Sequence, residues 1–200
     1  MIKFISIEES IPFQKFKGLY EDADIKNEKN IDAACISSLN KTRNEISSRF
    51  VNIKYIKENK FYFYSNYYSN KAKDFDEHNQ VAISFFWKSI NVQIRIKANI
   101  MKASAKESDN YFKTRDINKN SLAISSKQSN KIDSFEDVKK KYLKVLNSNN
   151  IDKLNRPKYW GGYFFIPYSF EFWRGDDNRL NEREEFKIIN QKWLSTFLEP

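Results

Sequence analysis

The residues with the greatest capacity for chemistry lie near the C-terminus. Pro157-Lys-Tyr-Trp-Gly-Gly-Tyr163 and Glu171-Phe-Trp-Arg-Gly-Asp-Asp-Asn-Arg-Leu-Asn-Glu-Arg183 gather two tryptophans, a Gly-Gly pair and three arginines (Arg174, Arg179, Arg183) around a polar turn. A flat aromatic wall beside fixed cations suits a planar ligand that carries a phosphate. The guanidinium plane stacks on aromatic faces and forks onto phosphate oxygens.

The rest of the composition narrows the chemistry by exclusion. The four glycines, Gly18, Gly161, Gly162 and Gly175, build neither a dinucleotide loop nor a Walker loop, so side chains must grip any phosphate. The one histidine, His78, follows Asp76-Glu77 in a polar helix-end context and reads as solvated. With one His and one Cys (Cys35), no metal site and no Ser-His-Asp triad is expected. A lone cysteine cannot form an intrachain disulfide, which suits a reducing cytoplasm. No apolar run is long enough for a membrane span, and the acidic pair Glu8-Glu9 comes too early for a secretory signal. The net charge of +9 is spread along the chain and interleaved with Asp and Glu. It therefore points to small anionic ligands rather than to nucleic acid.

Elements that could position such residues follow from periodicity. At 200 residues the chain fits one domain, 1–200, with a helical or irregular extension over 1–30 and a distinct C-terminal segment over 157–200. Phe13, Phe16, Leu19 and Tyr20 fall at helical spacing, ending near Asp22. Strands are expected over 31–39, 48–56, 60–65, 80–87, 92–102, 162–173, 184–189 and 192–197. Helices are expected over 69–78, 104–115, 121–128 and 134–146, with Ser69 and Ser134 as caps and a polar connector over 147–156. Antiparallel hairpins with helices interposed late make a mainly β (α+β) fold, closed or split as a barrel.

Several of these segments resemble the pyridoxine/pyridoxamine 5′-phosphate oxidase family. The C-terminal cluster is similar to its WGGY…EFWQG…RLHDR signature. Ser48-Arg-Phe-Val-Asn-Ile-Lys54 is similar to SRMVLLK, Phe63-Tyr-Ser-Asn to FYTN, and Ser69-Asn-Lys-Ala72 to SRKA. Val92-Gln-Ile-Arg-Ile resembles RQVRI, Ser126-Lys-Gln-Ser129 resembles SKQS, and Tyr111-Phe-Lys-Thr-Arg115 fits the family's Tyr-Phe-x-x-Arg. The matches keep their order across roughly residues 30 to 200.

The resemblance implies an FMN-binding split β-barrel, antiparallel and Greek-key-like with peripheral helices, and a homodimer with FMN at the subunit interface. It implies oxidation of pyridoxine or pyridoxamine 5′-phosphate to pyridoxal 5′-phosphate, with dioxygen reduced to hydrogen peroxide. FMN contacts carry over to Arg49, Phe50, Val51, Asn52, Ile53, Lys54, Tyr64, Ser65, Asn70, Lys71, Gln93, Gln128, Ser129, Trp173 and Arg183. Substrate contacts carry over to Lys54, Tyr111, Arg115, Lys119, Arg179 and Asn181, with Arg179 and Asn181 in the catalytic positions. Asn70, Lys119 and Asn181 stand where the family has arginine, serine and histidine.

On residue type alone, Arg49 and Lys54 point to opposite faces of a regular strand. Taken without the resemblance they read more readily as solvated strand-end charges, and Trp160 and Phe172 read as core packing. Tyr111 and Arg115, four apart on one helix, share a face that suits a dianionic phosphate ester. Two other activities stay open: a related FMN oxidase acting on another small molecule, as in phenazine biosynthesis, and a non-catalytic flavin-binding protein.

Overall fold

The computed structural model describes residues 1–148 and 155–200. In chain order its elements are β1 (Lys3–Ile5), α1 (Ile11–Ile25), β2 (Ala33–Asn40), β3 (Glu45–Asn52), β4 (Tyr55–Lys57), β5 (Lys60–Asn66), α2 (Asn70–Glu77), β6 (Gln80–Trp87), β7 (Val92–Lys102), α3 (Ala105–Thr114), α4 (Ile117–Ser125), α5 (Phe135–Leu146), β8 (Trp160–Arg174), β9 (Glu182–Ile189) and β10 (Lys192–Phe197). Of the polar connector expected over 147–156, positions 149–154 lie outside the described residues.

The strands form one sheet in the order β1-β4-β5-β8-β7-β6-β2-β3, with β9 added to β8 and β10 to β9. Every pairing is antiparallel except β1 with β4. The ladder curls without closing, which makes a split barrel.

The split originates in β8. One of its edges pairs with β7 along almost its whole length. On the other edge, Trp160–Phe165 pair with β5 and Ser169–Arg174 pair with β9. The hand-over falls at Pro167, which has no N–H to donate to a ladder. Ser169 faces Lys97 and Pro167 faces Ala98, so Tyr168 is an extra, unopposed residue. Such a bulge bends the strand and lets one strand serve both lobes.

The core lies inside the curl, and α1 fills it. Phe13, Phe16, Leu19, Tyr20 and Ala23 are buried on one face of α1. Phe16 meets Phe61, Phe85 and Trp87 edge-on at 5.2, 5.2 and 5.5 Å, and Phe13 meets Phe170 at 5.2 Å. Each fully buried phenylalanine contributes about 1.5–3 kcal/mol, so the N-terminal segment is part of the core rather than an appendage.

Three local expectations are corrected. The segment 1–30 contains the short strand β1, which has too few residues to show a period, and α1 runs past Asp22 to Ile25. The strand expected over 48–56 breaks after Asn52. Ile53 N–H bonds Asp32 O, Lys54 N–H bonds Tyr62 O, and the chain leaves β2 for β5. Ile53 and Ile56 are both fully buried, which strict alternation forbids. The helix expected over 121–128 begins instead at Ile117, because the Asp116 carboxylate caps the amides of Asn118 and Lys119. At the other expected caps, Ser134 accepts from Asp137 N–H, whereas Ser69 donates its hydroxyl to Asn66 O.

Candidate functional site

The Gly-Gly pair opens the site. Ala103 N–H donates to Gly162 O at 2.8 Å, and Gly162 N–H donates to Ser108 Oγ at 3.0 Å, which draws the start of α3 onto β8. A Cβ at Gly161 would strike Tyr67 Oη and Ser108 Oγ; one at Gly162 would lie 2.9 Å from Ala103 Cβ and 3.0 Å from Tyr64 Cε1. Gly162→Ala is therefore expected to cost about 1–3 kcal/mol of stability through overpacking and to displace Tyr64. Thermal unfolding checks this, and an unchanged midpoint would mean that α3 yields freely.

Close packing at this point assembles an aromatic wall. Tyr64 of β5 stacks on Tyr111 of α3 at 3.7 Å and on Trp160 of β8 at 5.3 Å. Arg115 lies over Trp160 with Cζ 4.4 Å from the ring centroid. It sits just beyond the end of α3 in an extended conformation, so the shared helical face expected for Tyr111 and Arg115 is not how they meet. Trp160 and Phe172 are both buried, as packing alone required, yet each also carries a cation: Arg115 over Trp160, and Lys15 over Phe172 with Nζ 5.1 Å from the ring centroid. Burial pushes the Tyr111 phenol up, opposed by the Arg115 charge, and burial holds the Arg115 guanidinium below its usual value. Burial, together with the Tyr55 hydroxyl 3.0 Å away, raises Tyr64 strongly, so the wall stays neutral across the physiological range.

Beside the wall is a cleft of about 210 Å³, lined among others by Tyr64, Ser65, Arg115, Lys119, Gln128 and Trp160. The loop before α5 closes one side: Gln128 Oε1 accepts from Asn66 N–H at 3.3 Å and from Ser65 Oγ at 3.4 Å. Asn70 N–H, at the start of α2, donates to Ser129 Oγ at 3.4 Å.

Behind Ser65 lies Lys71, 9% exposed. Its ammonium donates to Ser65 Oγ at 3.2 Å and Ser69 Oγ at 3.3 Å. Burial, then the neighbouring Arg49 charge, pushes Lys71 down to about 8. Arg49 is itself anchored by Ser38 Oγ at 2.6 Å and Asp74 at 3.5 Å, with Asp74 also accepting from Ser38 and Asn40. A buried cation held only by hydroxyls, beside a second cation, is a cradle for an anion.

A second patch collects other expected residues. Gln93, Trp173 and Arg183 are cross-strand partners on β7, β8 and β9, so their side chains form one row on one face. Glu171 ties the row together, accepting from Arg95 at 3.0 Å and from Arg183 Nε at 2.9 Å, while Arg95 Nε bonds Gln93 Oε1. The loop before β9 carries Arg179, exposed and at φ 64°. Asn181 Oδ1 accepts from Asp176 N–H at 3.2 Å, which shapes that loop.

Other expected positions fall outside both patches. Lys54 pairs with Asp32 at 3.1 Å and does not line the cleft. Phe50 (73% exposed) and Asn52 point outward from β3, Val51 is partly buried against the core, and Ile53 presents only its backbone. Sequence reasoning missed Asn66, Asp74, Asn120 and Glu171, which hydrogen-bond to or pair with the candidate side chains or their neighbours. Nothing in their local spacing marks them.

Residues 24–148 match the family described as pyridoxamine 5′-phosphate oxidase, and residues 160–200 match the pyridoxine 5′-phosphate oxidase C-terminal dimerisation region. The chain belongs to the pyridoxamine 5′-phosphate oxidase family. A family relative in Leptospira biflexa, a pyridoxine/pyridoxamine 5′-phosphate oxidase, is 33% identical over 94% of this chain and 89% of its own length. The family's Bombyx mori enzyme of the same name is 36% identical over 92% of this chain and 72% of its own length. Among solved structures, PhzG from Burkholderia lata, in complex with tetrahydrophenazine-1-carboxylic acid, superposes with a TM-score of 0.88 at 22% identity. That match covers 96% of this chain and 93% of PhzG. A pyridoxamine 5′-phosphate oxidase-related, FMN binding protein from Nostoc punctiforme gives 0.77 at 10% identity, covering 96% of this chain and 99% of its own. These likenesses bear out the split-barrel fold. No helix among the described residues is long and apolar enough to cross a membrane.

Proposed function

We propose that the protein is an FMN-dependent oxidase that converts pyridoxine or pyridoxamine 5′-phosphate to pyridoxal 5′-phosphate at the expense of dioxygen. The observation that carries this reading is three cations, Lys71, Arg115 and Lys119, lying in or behind one cleft. Among the described residues, none of them has a carboxylate within ion-pair distance. Uncancelled charge at two separate points suits two phosphate groups, one on the cofactor and one on the substrate.

The donor set fits FMN. Lys71, Arg49 and Ser65 would hold its phosphate, aided by the first amides of α2 and by Ser129. Gln93, Trp173 and Arg183 would contact the flavin end. Once bound, FMN supplies the two-electron acceptor for the substrate's C4′ and returns the electrons to dioxygen as hydrogen peroxide. Arg115, Lys119 and the Tyr111 phenol would orient the substrate through its phosphate, with Lys54 contributing once released from Asp32. Arg179 would lie over the reacting carbon, stabilising charge as it develops, and Asn181 would shape that loop.

A homodimer is part of this reading, and the match of residues 160–200 to the family's C-terminal dimerisation region supports it. Trp173 lies eleven residues along β8 from Gly162, the partner of Tyr64, which is at most about 35 Å of strand. With the two patches on different stretches of β8, a second copy would bring its Gln93–Trp173–Arg183 row to the first copy's cleft, so that two chains complete one flavin site. Phe86 beside that row and Leu194 and Phe197 on β10 are exposed apolar residues that such pairing would cover.

A second oxidase reading, with another small substrate, draws on Asn181. Its Oδ1 is engaged within the loop, and the side chain cannot acquire charge. Anaerobic addition of pyridoxine 5′-phosphate to the FMN-loaded protein separates the two. Flavin absorbance that bleaches and recovers in air is expected, and a yellow protein bleached by neither the alcohol nor the amine overturns the vitamin B6 assignment. Arg179→Ala is expected to keep FMN but lose on the order of 10²–10³ in kcat, the scale of removing a preorganised charge-stabilising donor.

A further inference from the structure

Asn120 sits behind the phosphate wall, 6% exposed, with both ends of its amide engaged. Its Nδ2 donates to Phe112 O in the last turn of α3 at 2.9 Å, and its Oδ1 accepts from Arg115 Nη1 at 3.1 Å. The orientation is thereby fixed: reversing the amide would face donor to donor and acceptor to acceptor. The other support of Arg115 is the face of Trp160.

Buried arginines are commonly fixed by a carboxylate, which cancels much of their charge. Here the one carboxylate next in the chain, Asp116, is turned onto the α4 amides of Asn118 and Lys119. A neutral oxygen and an aromatic face do the fixing instead. The guanidinium is anchored without an ion pair, and its remaining donors are left for the cleft it lines with Lys119.

We propose that Asn120 is a positioning residue for the substrate phosphate, aiming the Arg115 guanidinium into the cleft through a neutral contact that leaves its charge uncancelled. This rests on the reading of Arg115 as a phosphate anchor. Two requirements are separable: an acceptor must be present, and it must be uncharged.

Asn120→Asp tests the second requirement, because it keeps shape and acceptor but sets a negative charge against the guanidinium. Asn120→Ala tests the first and adds no charge, so it also serves if the aspartate variant fails to fold. The measurements are KM and kcat of the FMN-loaded variants with pyridoxine 5′-phosphate and with phosphate-free pyridoxine, and inorganic phosphate binding by calorimetry. For Asn120→Asp, KM for the phosphate ester and the dissociation constant for phosphate are each expected to rise roughly tenfold or more, as a close charge in a semi-buried setting requires. The change should fall on KM rather than kcat and spare the phosphate-free alcohol, and Asn120→Ala should show a smaller rise.

Equal losses on both alcohols, or unchanged phosphate binding in Asn120→Asp, would overturn the proposal and leave Asn120 a packing residue. If the wild type turns over neither alcohol, the vitamin B6 assignment falls on its own and phosphate binding still judges Asn120. Phosphate held by the wild type and released by Asn120→Asp supports the positioning role; no phosphate binding to the wild type removes it.

Discussion

Lys71→Met is expected to stabilise the flavin-free protein and, at the same time, to weaken FMN binding roughly 30-fold or more, the scale of truncating one partner of a buried charge pair at about 2–5 kcal/mol. The opposite signs share one cause. The Lys71 ammonium is buried and held by two hydroxyls, with no carboxylate to offset its desolvation. Its charge therefore costs stability in the empty protein and is repaid only when an anion arrives. Thermal unfolding without flavin and an FMN titration followed by flavin fluorescence check the two arms. A variant that is less stable but binds FMN normally would reduce Lys71 to a bridge between Ser65 and Ser69.

The same residue sets a pH dependence whose sign can be worked out. Lys71 titrates near 8 in the folded chain against 10.5 ordinarily. Between those values the unfolded chain holds the proton and the folded chain does not, so stability of the flavin-free protein rises with pH through that window. Below about 8 the full cost of the charged form is present. FMN affinity runs the other way: it falls as pH rises past 8, by at most about tenfold per unit, because the phosphate binds the protonated form. Both slopes should be missing in Lys71→Met.

Arg115→Leu is expected to raise KM for the phosphorylated substrate by roughly 30-fold or more, again on the scale of about 2–5 kcal/mol for losing a buried charged partner. FMN should remain bound, since Lys71 and Arg49, rather than Arg115, would grip its phosphate. Arg115→Lys should fall between the two, because an ammonium keeps the charge but loses both the fork and the stack on Trp160. Steady-state kinetics with flavin content measured on the same samples decides the matter. Loss of FMN together with KM would mean that Arg115 holds up the whole cleft rather than the substrate alone.

Much of the local structure is legible from the chain. Alternation marked β6 and β7, an aromatic run marked β5, helical spacing marked the core face of α1, and Ser134 marked the start of α5. The misses have physical causes. Strand β1 is three residues long and depends entirely on its partner β4, and the break at Ile53–Lys54 exists because Asp32 and Tyr62 take those backbone groups. Asp116 outcompeted the apolar pattern as a helix start because its carboxylate satisfies two free amides at once.

The candidate site divides in the same way. Residue types alone determined that a phosphate here must be gripped by side chains, since four glycines provide no phosphate loop, and that aromatic faces and arginines would do the gripping. Their order along the chain carried the family likeness. Only the tertiary structure decided which of them meet. Tyr64, Tyr111, Arg115 and Trp160 converge because Gly161 and Gly162 let α3 and β5 press onto β8. Gln93, Trp173 and Arg183 align with one another at the other end of β8 from Trp160, because the bulge after Pro167 hands β8 from β5 to β9. Local periodicity records which way a side chain faces. Which distant strand lies opposite, and in what register, is settled by pairing across the whole sheet, and no single segment contains that information.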